Sequence, residues 1–324
     1  MHTNFRMEAR ILKSAKHRPG IFCFCIVYNE AWFLPYFLEH YRALGISHFV
    51  FLDDRSTDQT RDILMGQDDC TLIVLEGQSS PAPDAMSVQT MLMNAAVEQS
   101  GHGAWSLTVD ADEFLILPEE FSAVDDVVRY LEARHLSCAL AAMIDFYPQR
   151  LSERFYDPLT PLAGSPWFDR LPGFVRPLDQ DTPVPTGNGV RPRLLRMLAD
   201  RHPETFRKLY ANVPYRFARS WKVPLLKRGA GVRRINPHMV NVQPPFDIQL
   251  GLAHFKFYPG LDTRIADALD RRAHYLGAIE YEFLKAALDH FADEPLICHQ
   301  SAKYDAPRDL QAAGLIWVGD ARAN

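Results

Sequence analysis

Five cysteines are all this chain has, and no two of them form a C-x-x-C pair. Cys23, Cys25, Cys70, Cys138 and Cys298 sit in apolar surroundings, which argues against a disulfide frame or zinc ribbon and for buried, reduced thiols. No apolar run approaches the roughly 20 residues that cross a bilayer. The stretch from Met1 to Gly20 is polar and basic without a hydrophobic centre, so no secretory leader is expected there. An excess of one charge is missing too. Forty acidic against 35 basic residues leave −5, too little to make nucleic acid the main partner. Gly187-Asn188-Gly189 is followed by no Lys-Ser/Thr, so it is not a phosphate-binding loop. These absences leave a soluble cytoplasmic protein, with peripheral membrane contact at most. With 47% hydrophobic residues in 324, the chain can bury a core, and its length fits one large domain or a domain with an appendage.

What is present in the first half is an alternation. Ile21–Tyr28 is a continuous apolar run, the pattern of a strand buried on both faces. A helix is expected from about Trp32 to Leu44, with Pro35 in its first turn, where a missing N–H costs little. His48–Leu52 reads as a second strand, and Ser56, Thr57 and Asp58 are good caps for a short helix over Gln59–Met65. Thr71–Leu75 is a third strand, Met86–Glu98 an amphipathic helix and Trp105–Val109 a fourth strand. A further helix, Phe121–Arg134, and a buried strand, Ala139–Phe146, complete the series. This order predicts an α/β fold, a mostly parallel sheet flanked by helices. Ligands of such sheets gather at the carboxyl ends of the strands. Three of those ends carry polar clusters: Tyr28-Asn29-Glu30, Asp53-Asp54 and Asp110-Ala111-Asp112.

The last cluster is the most informative. In extended backbone, side chains alternate faces, so Asp110 and Asp112 would project together while Ala111 points away. Two carboxylates aimed the same way suit a cation between them, and oxygen-only ligation fits Mg²⁺ or Mn²⁺ holding substrate phosphates. The plainer alternative is a strand end with solvated charges or a helix cap.

Val27-Tyr28-Asn29-Glu30, Leu52-Asp53-Asp54-Arg55-Ser56-Thr57-Asp58-Gln59-Thr60 and Val109-Asp110-Ala111-Asp112-Glu113-Phe114, in this order and spacing, resemble glycosyltransferase family 2 and its relatives. The Asp-Ala-Asp-Glu-Phe form is closest to a bacterial family 2-like subgroup. The resemblance covers about residues 20 to 150 and implies a GT-A (Rossmann-like) fold. It implies that Tyr28 and Glu30 line a nucleotide pocket, Asp54 bonds the base or ribose, Asp110 approaches ribose and metal, and Asp112 is the main metal carboxylate. Glu113 is expected to orient the loop. Arg55 departs from the Gly or Asn that many members carry in this turn. The implied cofactors are Mn²⁺ or Mg²⁺ and a nucleotide-sugar, UDP-sugar first and GDP-sugar second. The expected layout is an N-terminal extension (1–20), a nucleotide-sugar core (21–150), a loop-rich acceptor part completing the same domain (151–300) and a tail (301–324).

Beyond Leu151 the chain is rich in Pro and Gly and reads as long loops up to Gly189. Val190–Leu195, Trp221–Lys227, His238–Val242 and Leu250–Tyr258 are expected as short strands, and Leu261–Tyr275 and Glu280–Phe291 as helices. If the last strand is extended throughout, His254, Lys256 and Tyr258 share a face. Related glycosyltransferases place a late histidine on the metal or diphosphate, and His254 resembles that residue; the alternative is a core histidine bonded to backbone. His238 is a weaker candidate for the same part. Lys256, Arg191 and Arg193 are candidates to neutralise a departing diphosphate, against a reading as solvated surface. Leu315–Val318 in the tail is expected to dock on the body or a partner.

Inversion, the family's stereochemical course, needs a general base at the acceptor hydroxyl. Asp145, ending an apolar strand, is the leading candidate, with burial expected to raise its pKa; the alternative is a turn cap before Pro148. Asp169 and Asp157 stand behind it. The function expected is sugar transfer from a nucleotide-sugar to a saccharide or lipid-linked hydroxyl acceptor in cell-surface or exopolysaccharide synthesis. The alternative is a nucleotide- or sugar-binding protein of the same fold without the chemistry. A phosphatase is disfavoured because Phe114 stands two residues past the second aspartate and four strands come earlier. A nucleotidyltransferase lacks its early Gly-rich loop.

Overall fold

The near-continuous burial of Phe22–Val27 follows from its composition, because every second side chain on either pleat face is apolar and needs cover. Strands in chain order are β1 (Glu8–Lys13), β2 (Phe22–Val27), β3 (His48–Asp53), β4 (Cys70–Glu76), β5 (Trp105–Thr108), β6 (Glu113–Ile116), β7 (Cys138–Asp145) and β8 (Trp167–Asp169). They continue with β9 (Phe174–Val175), β10 (Val184–Pro185), β11 (Trp221–Lys227), β12 (Arg234–Asn236), β13 (Met239–Val240), β14 (Ile248–His254), β15 (Ser301–Lys303) and β16 (Trp317–Val318). Helices are α1 (Leu34–Ala43), α2 (Thr60–Met65), α3 (Val124–Glu132), α4 (Pro161–Gly164) and α5 (Val190–Arg201). After these come α6 (Pro203–Tyr210), α7 (Leu261–Arg271), α8 (Tyr275–Phe291) and α9 (Pro307–Ala312). The computed structural model describes residues 8–16, 20–76, 89–95, 105–155, 160–178, 180, 182–211, 219–229, 231–271 and 275–319.

Two compact units share the chain: Met1–Leu140 with Val223–Ile248 (unit 1), and Ala141–Lys222 with Gln249–Asn324 (unit 2). Unit 1 carries six strands paired side by side. Within unit 1 the order is β1-β4-β3-β2-β5-β11. Strands β4, β3, β2 and β5 run parallel, while β1 and β11 pair antiparallel with β4 and β5. The expected α/β class, a mostly parallel sheet flanked by helices, is what the structure has. One face is covered by α1, whose Phe37 meets Phe49 and Phe51 with ring centroids 6.4 and 5.9 Å apart. The other carries Phe22, Phe24 and Leu52, covered by Met93 from helical residues 89–95. Alternation along β2 and β3 thus feeds two hydrophobic layers at once.

Unit 2 contains most of β7 and β14, together with β16 and the small β9–β10 and β8–β15 pairs. Its core joins Leu194 and Leu198 of α5, Leu261 and Ile265 of α7, and Leu284 and Phe291 of α8. Val190–Leu195, expected as a strand, opens helix α5 instead. Gly189 (φ 110°) turns the chain into it, Pro192 lies in the first turn where no N–H is needed, and Val190, Leu194 and Leu198 recur at helical spacing. Strand β14 ends at His254, so Lys256 and Tyr258 leave the ladder and the expected alternating face stops there. The tail docks as expected: Ile316 is fully buried and β16 pairs with β14. Cys23, Cys25, Cys70 and Cys138 are free, buried thiols, and Cys298 is free and partly exposed. Among the described residues no helix is long and apolar enough to cross a membrane.

Candidate functional site

Parallel pairing brings the carboxyl ends of β3, β2 and β5 to one edge of unit 1. Val27 faces Asp53 across β2–β3, and Phe24 faces Thr108 across β2–β5. The next residues on each strand are the three polar clusters. The first two are tied together. The Asp54 N–H donates to Val27 O (2.9 Å), and the Asn29 N–H donates to Ser56 Oγ (3.0 Å). Asn29 Oδ1 accepts from Thr57 N (2.7 Å) and Asp58 N (3.3 Å), and the Glu30 N–H donates to Thr60 Oγ1 (2.8 Å). The loop after β2 is therefore clamped onto the loop after β3, with Tyr28 and Glu30 half-buried on it.

Asp53, wholly buried, is a structural acid: it accepts the Ser56 N–H (2.9 Å) and pairs with Arg61. Asp54 is more exposed and holds the guanidinium of Arg55 at 2.7 Å. Arg55 itself has φ 64°, the left-handed conformation that favours Gly or Asn. Arg55 thus carries a full side chain at a strained position, folded back on Asp54.

Asp110 and Asp112 are not on extended backbone. Residues 110–113 form a turn between β5 and β6, closed by Glu113 N–H to Asp110 O (3.1 Å). Ala111 is buried and the flanking aspartates are partly exposed, so the carboxylates stay on the accessible side although alternation is not the reason. Glu113, 1% exposed, accepts the Asp110 N–H (2.9 Å) and so fixes the turn. Phe114 completes the anchor against Phe37 and His40 at 6.4 and 5.3 Å. The same turn is followed by Tyr41 Oη donating to Glu113 O (2.8 Å).

Arg234 in unit 1 had no sequence signal, because an arginine between Arg233 and Ile235 reads as surface. It is 2% exposed and donates to Val223 O (2.7 Å) and Pro224 O (3.2 Å), while its Nε has no hydrogen-bond partner. Burial lowers its pKa to about 10, opposed by the nearby charges of Asp110 and Glu113. At neutral pH it is a buried cation in the field of the aspartate turn. His238, in the same unit, has its N–H on Asn236 Oδ1 (2.9 Å) in the β12–β13 turn.

Unit 2 gathers a second charged group. Asp145 ends β7, its side chain 10% exposed, with Arg191 Nε 2.8 Å from Oδ2 and His254 Nδ1 2.7 Å from Oδ1. Arg191 also bonds Glu280 at 2.6 Å. Burial pushes the Asp145 carboxyl up, but Arg191's charge and the His254 hydrogen bond outweigh it and hold the group well below the usual carboxylate range. The expected upward shift is therefore corrected: partners win over desolvation. His254, 3% exposed, bonds a carboxylate through Nδ1. Lys256 is half-buried and its charge helps keep Glu280 ionised, after the larger effect of Arg191.

Arg193 donates to Asp169 (3.0 Å) and to Leu296 O (2.7 Å), while Tyr147 Oη donates to Asp169 and lies 2.7 Å from the Ser301 hydroxyl, from which it can accept. Burial beside Asp169 pushes the Tyr147 hydroxyl up, keeping it a donor. Arg191 and Arg193, expected at a diphosphate or in solvent, are instead engaged by carboxylates of their own unit. Asp157 lies outside the described residues.

Among the described residues no group of three or more His, Cys, Asp or Glu side chains is assembled as a metal cage. Asp110 and Asp112 lie on one turn and are both partly exposed. That donor set fits a hard divalent ion that completes its shell with water and substrate phosphate.

No protein-family model matches the chain, and no curated protein matches it. Among solved structures, TarS of S. aureus is 18% identical over 40% of this chain, with a TM-score of 0.29. The match spans 22% of the TarS chain. A mycobacterial protein is 14% identical over 78% of this chain and 73% of its own, with a TM-score of 0.31. At such scores neither likeness bears on the chemistry, and the residues must carry it.

Proposed function

We propose that the chain is a metal-dependent glycosyltransferase that moves a sugar, with inversion, from a nucleotide-sugar to a hydroxyl acceptor in cell-surface or exopolysaccharide assembly. The reading is carried by the edge of unit 1, where three parallel strands end next to one another in Tyr28 and Glu30, in Asp54, and in Asp110 with Asp112, the first two clusters on loops tied by hydrogen bonds. Carboxyl ends of parallel strands are where nucleotides bind. In this reading Tyr28 and Glu30 flank the base, Asp54 takes a base or ribose donor, and Asp110 and Asp112 hold Mn²⁺ or Mg²⁺. Such an ion neutralises charge developing on a departing nucleoside diphosphate.

Proton removal is assigned to the Asp145–His254 pair. Asp145, held ionised, is a weak base itself. A carboxylate on Nδ1 selects the tautomer with the proton there and a lone pair on Nε2, which is the proton acceptor proposed. His254 as a metal ligand is the second reading, since metal-bound histidines also donate their other N–H to a carboxylate.

The test is a thermal-shift panel of UDP, GDP, CDP and dTDP with and without Mn²⁺. UDP with Mn²⁺ is expected to stabilise the protein by about 2–3 kcal/mol at a hundredfold excess over Kd. Asp112→Asn should abolish the Mn²⁺-dependent part. Silence from all four nucleotides, or an unchanged response in Asp112→Asn, overturns the donor site. Slow release of nucleoside diphosphate from UDP-sugars separates the enzyme from a binding protein of the same fold, which would show stabilisation alone.

A further inference from the structure

Three carboxylates, Asp110, Asp112 and Glu113, fall within the turn that follows β5. The neighbouring strand brings a cation to the same level. Strands β11 and β5 are antiparallel with Leu225 opposite Leu107, and that register continued sets Pro224 opposite Thr108 and Val223 opposite Val109. Arg234 donates to the carbonyls of just these two residues, Val223 O at 2.7 Å and Pro224 O at 3.2 Å. Its guanidinium thus sits at the level of the last residues before Asp110, and the charges of Asp110 and Glu113 act on it.

The guanidinium is held there. Arg234 is 2% exposed, and Asn94 grips its backbone twice: Oδ1 accepts the Arg234 N–H (2.9 Å) and Nδ2 donates to Arg234 O (3.0 Å). Hydrogen bonding does not account for the charge, because Nε has no partner and a neutral amide would serve the two carbonyls. A buried guanidinium carries a heavy desolvation cost, and the carboxylates of the turn are what offset it.

Being buried, Arg234 offers a ligand no surface and acts on the turn through its charge alone. A fixed positive charge at that depth repels a divalent cation and attracts a phosphate. Salt screens such effects little, since they pass through protein rather than solvent. A bare metal ion then meets carboxylates already partly neutralised, whereas a diphosphate arriving with it restores the balance.

We propose that Arg234 is a positioning residue of the donor site, whose charge weakens binding of the bare metal ion at Asp110 and Asp112 so that metal and nucleoside diphosphate enter together. This rests on the metal-dependent glycosyltransferase reading of the same turn.

Water-proton relaxation at pH 7, which separates Mn²⁺ on the chain from Mn²⁺ on free nucleotide, tests it on the full chain. In the natural protein Mn²⁺ alone should give little enhancement, and adding UDP should bring the metal onto the chain. Full enhancement before UDP overturns the proposal without any variant. Arg234→Gln should bind Mn²⁺ alone roughly tenfold more tightly, with the dependence on UDP reduced to match. A merely loosened turn would bind the ion more weakly, so unchanged or weaker binding in Arg234→Gln overturns the proposal. Arg234→Lys keeps the charge and should stay with the natural chain; tightening there as in Arg234→Gln would assign the effect to shape and overturn it too. Enhancement abolished by Asp112→Asn but unmoved by Arg234→Gln removes the role of Arg234 and keeps the donor site. No enhancement with UDP in the natural chain removes both.

Discussion

Asn29 does the work of a hinge pin. It adopts φ 53° between β2 and the loop leading to α1, a conformation asparagine tolerates better than most residues. Its Oδ1 meanwhile accepts two N–H groups of the loop after β3. Asn29→Ala loses both the tolerance and the acceptors, and the summed cost is about 2–4 kcal/mol. Urea unfolding at neutral pH measures it, and a loss below about 1 kcal/mol would mean the two loops hold together by other contacts. Arg55 sits in the same conformation without that excuse, stabilised by its bond to Asp54. The motifs containing Asn29, Asp54, Asp110 and Asp112 were legible in the sequence because each needs a particular residue at a strand end. Arg234 was not legible, since only tertiary burial distinguishes it from a surface arginine. Asp145 was legible as a carboxylate ending an apolar strand, but the direction of its pKa depended on Arg191 and His254, which lie far away in the sequence.

Helix α1 and strand β6 show how one element positions another. His40 and Tyr41 both reach β6: His40 Nε2 is 2.9 Å from Leu115 O, and Tyr41 Oη accepts from Leu115 N (3.1 Å). Burial lowers the His40 pKa to about 4, against the raising effect of its Leu115 bond. An unfolded chain with a histidine pKa near 6.5 binds more protons than the fold between those two values, so stability falls as pH drops from about 6.5 to about 4. Replacing His40 with Gln should shrink the stability lost between pH 6.5 and 4.5 by roughly 2 kcal/mol. Chemical denaturation at the two pH values in both proteins measures this, and parallel pH dependences would show that His40 does not titrate as a buried group. Strand β6 itself was missed in the sequence because Glu113–Ile116 is only four residues long and follows the aspartates without a Gly or Pro. Helix α5 was misread for a related reason: Val190 to Leu195 is too short a window for the 3.6-residue period to separate from alternation, and the deciding Leu198 lies beyond it.

The parallel sheet was readable because its strands are apolar throughout and separated by helical periods, a local pattern. The way the chain divides was not, because contact between distant segments leaves no local trace. The chain passes from unit 1 to unit 2 after Leu140, returns after Lys222 and leaves again after Ile248. Unit 1 is therefore completed by a segment some eighty residues downstream of its main body. That segment carries β11, which pairs with β5 through Leu225↔Leu107, Leu226↔Ser106 and Lys227↔Trp105. It also brings the buried Arg234 and the Lys227–Glu132 ion pair (2.8 Å). A fragment ending at Leu140 would leave β5, the strand that leads into the aspartate turn, as a bare edge with Leu107 uncovered. Such edges pair with other chains rather than stay in solution. Residues 1–140 alone are expected to aggregate or to show no cooperative thermal transition by circular dichroism. The same residues joined by a flexible linker to 223–248 should recover a cooperative transition and a dispersed amide spectrum. If 1–140 folds cooperatively without the returning segment, β11 is an accessory to the sheet, and the aspartate turn is held by β2, β6 and α1 alone.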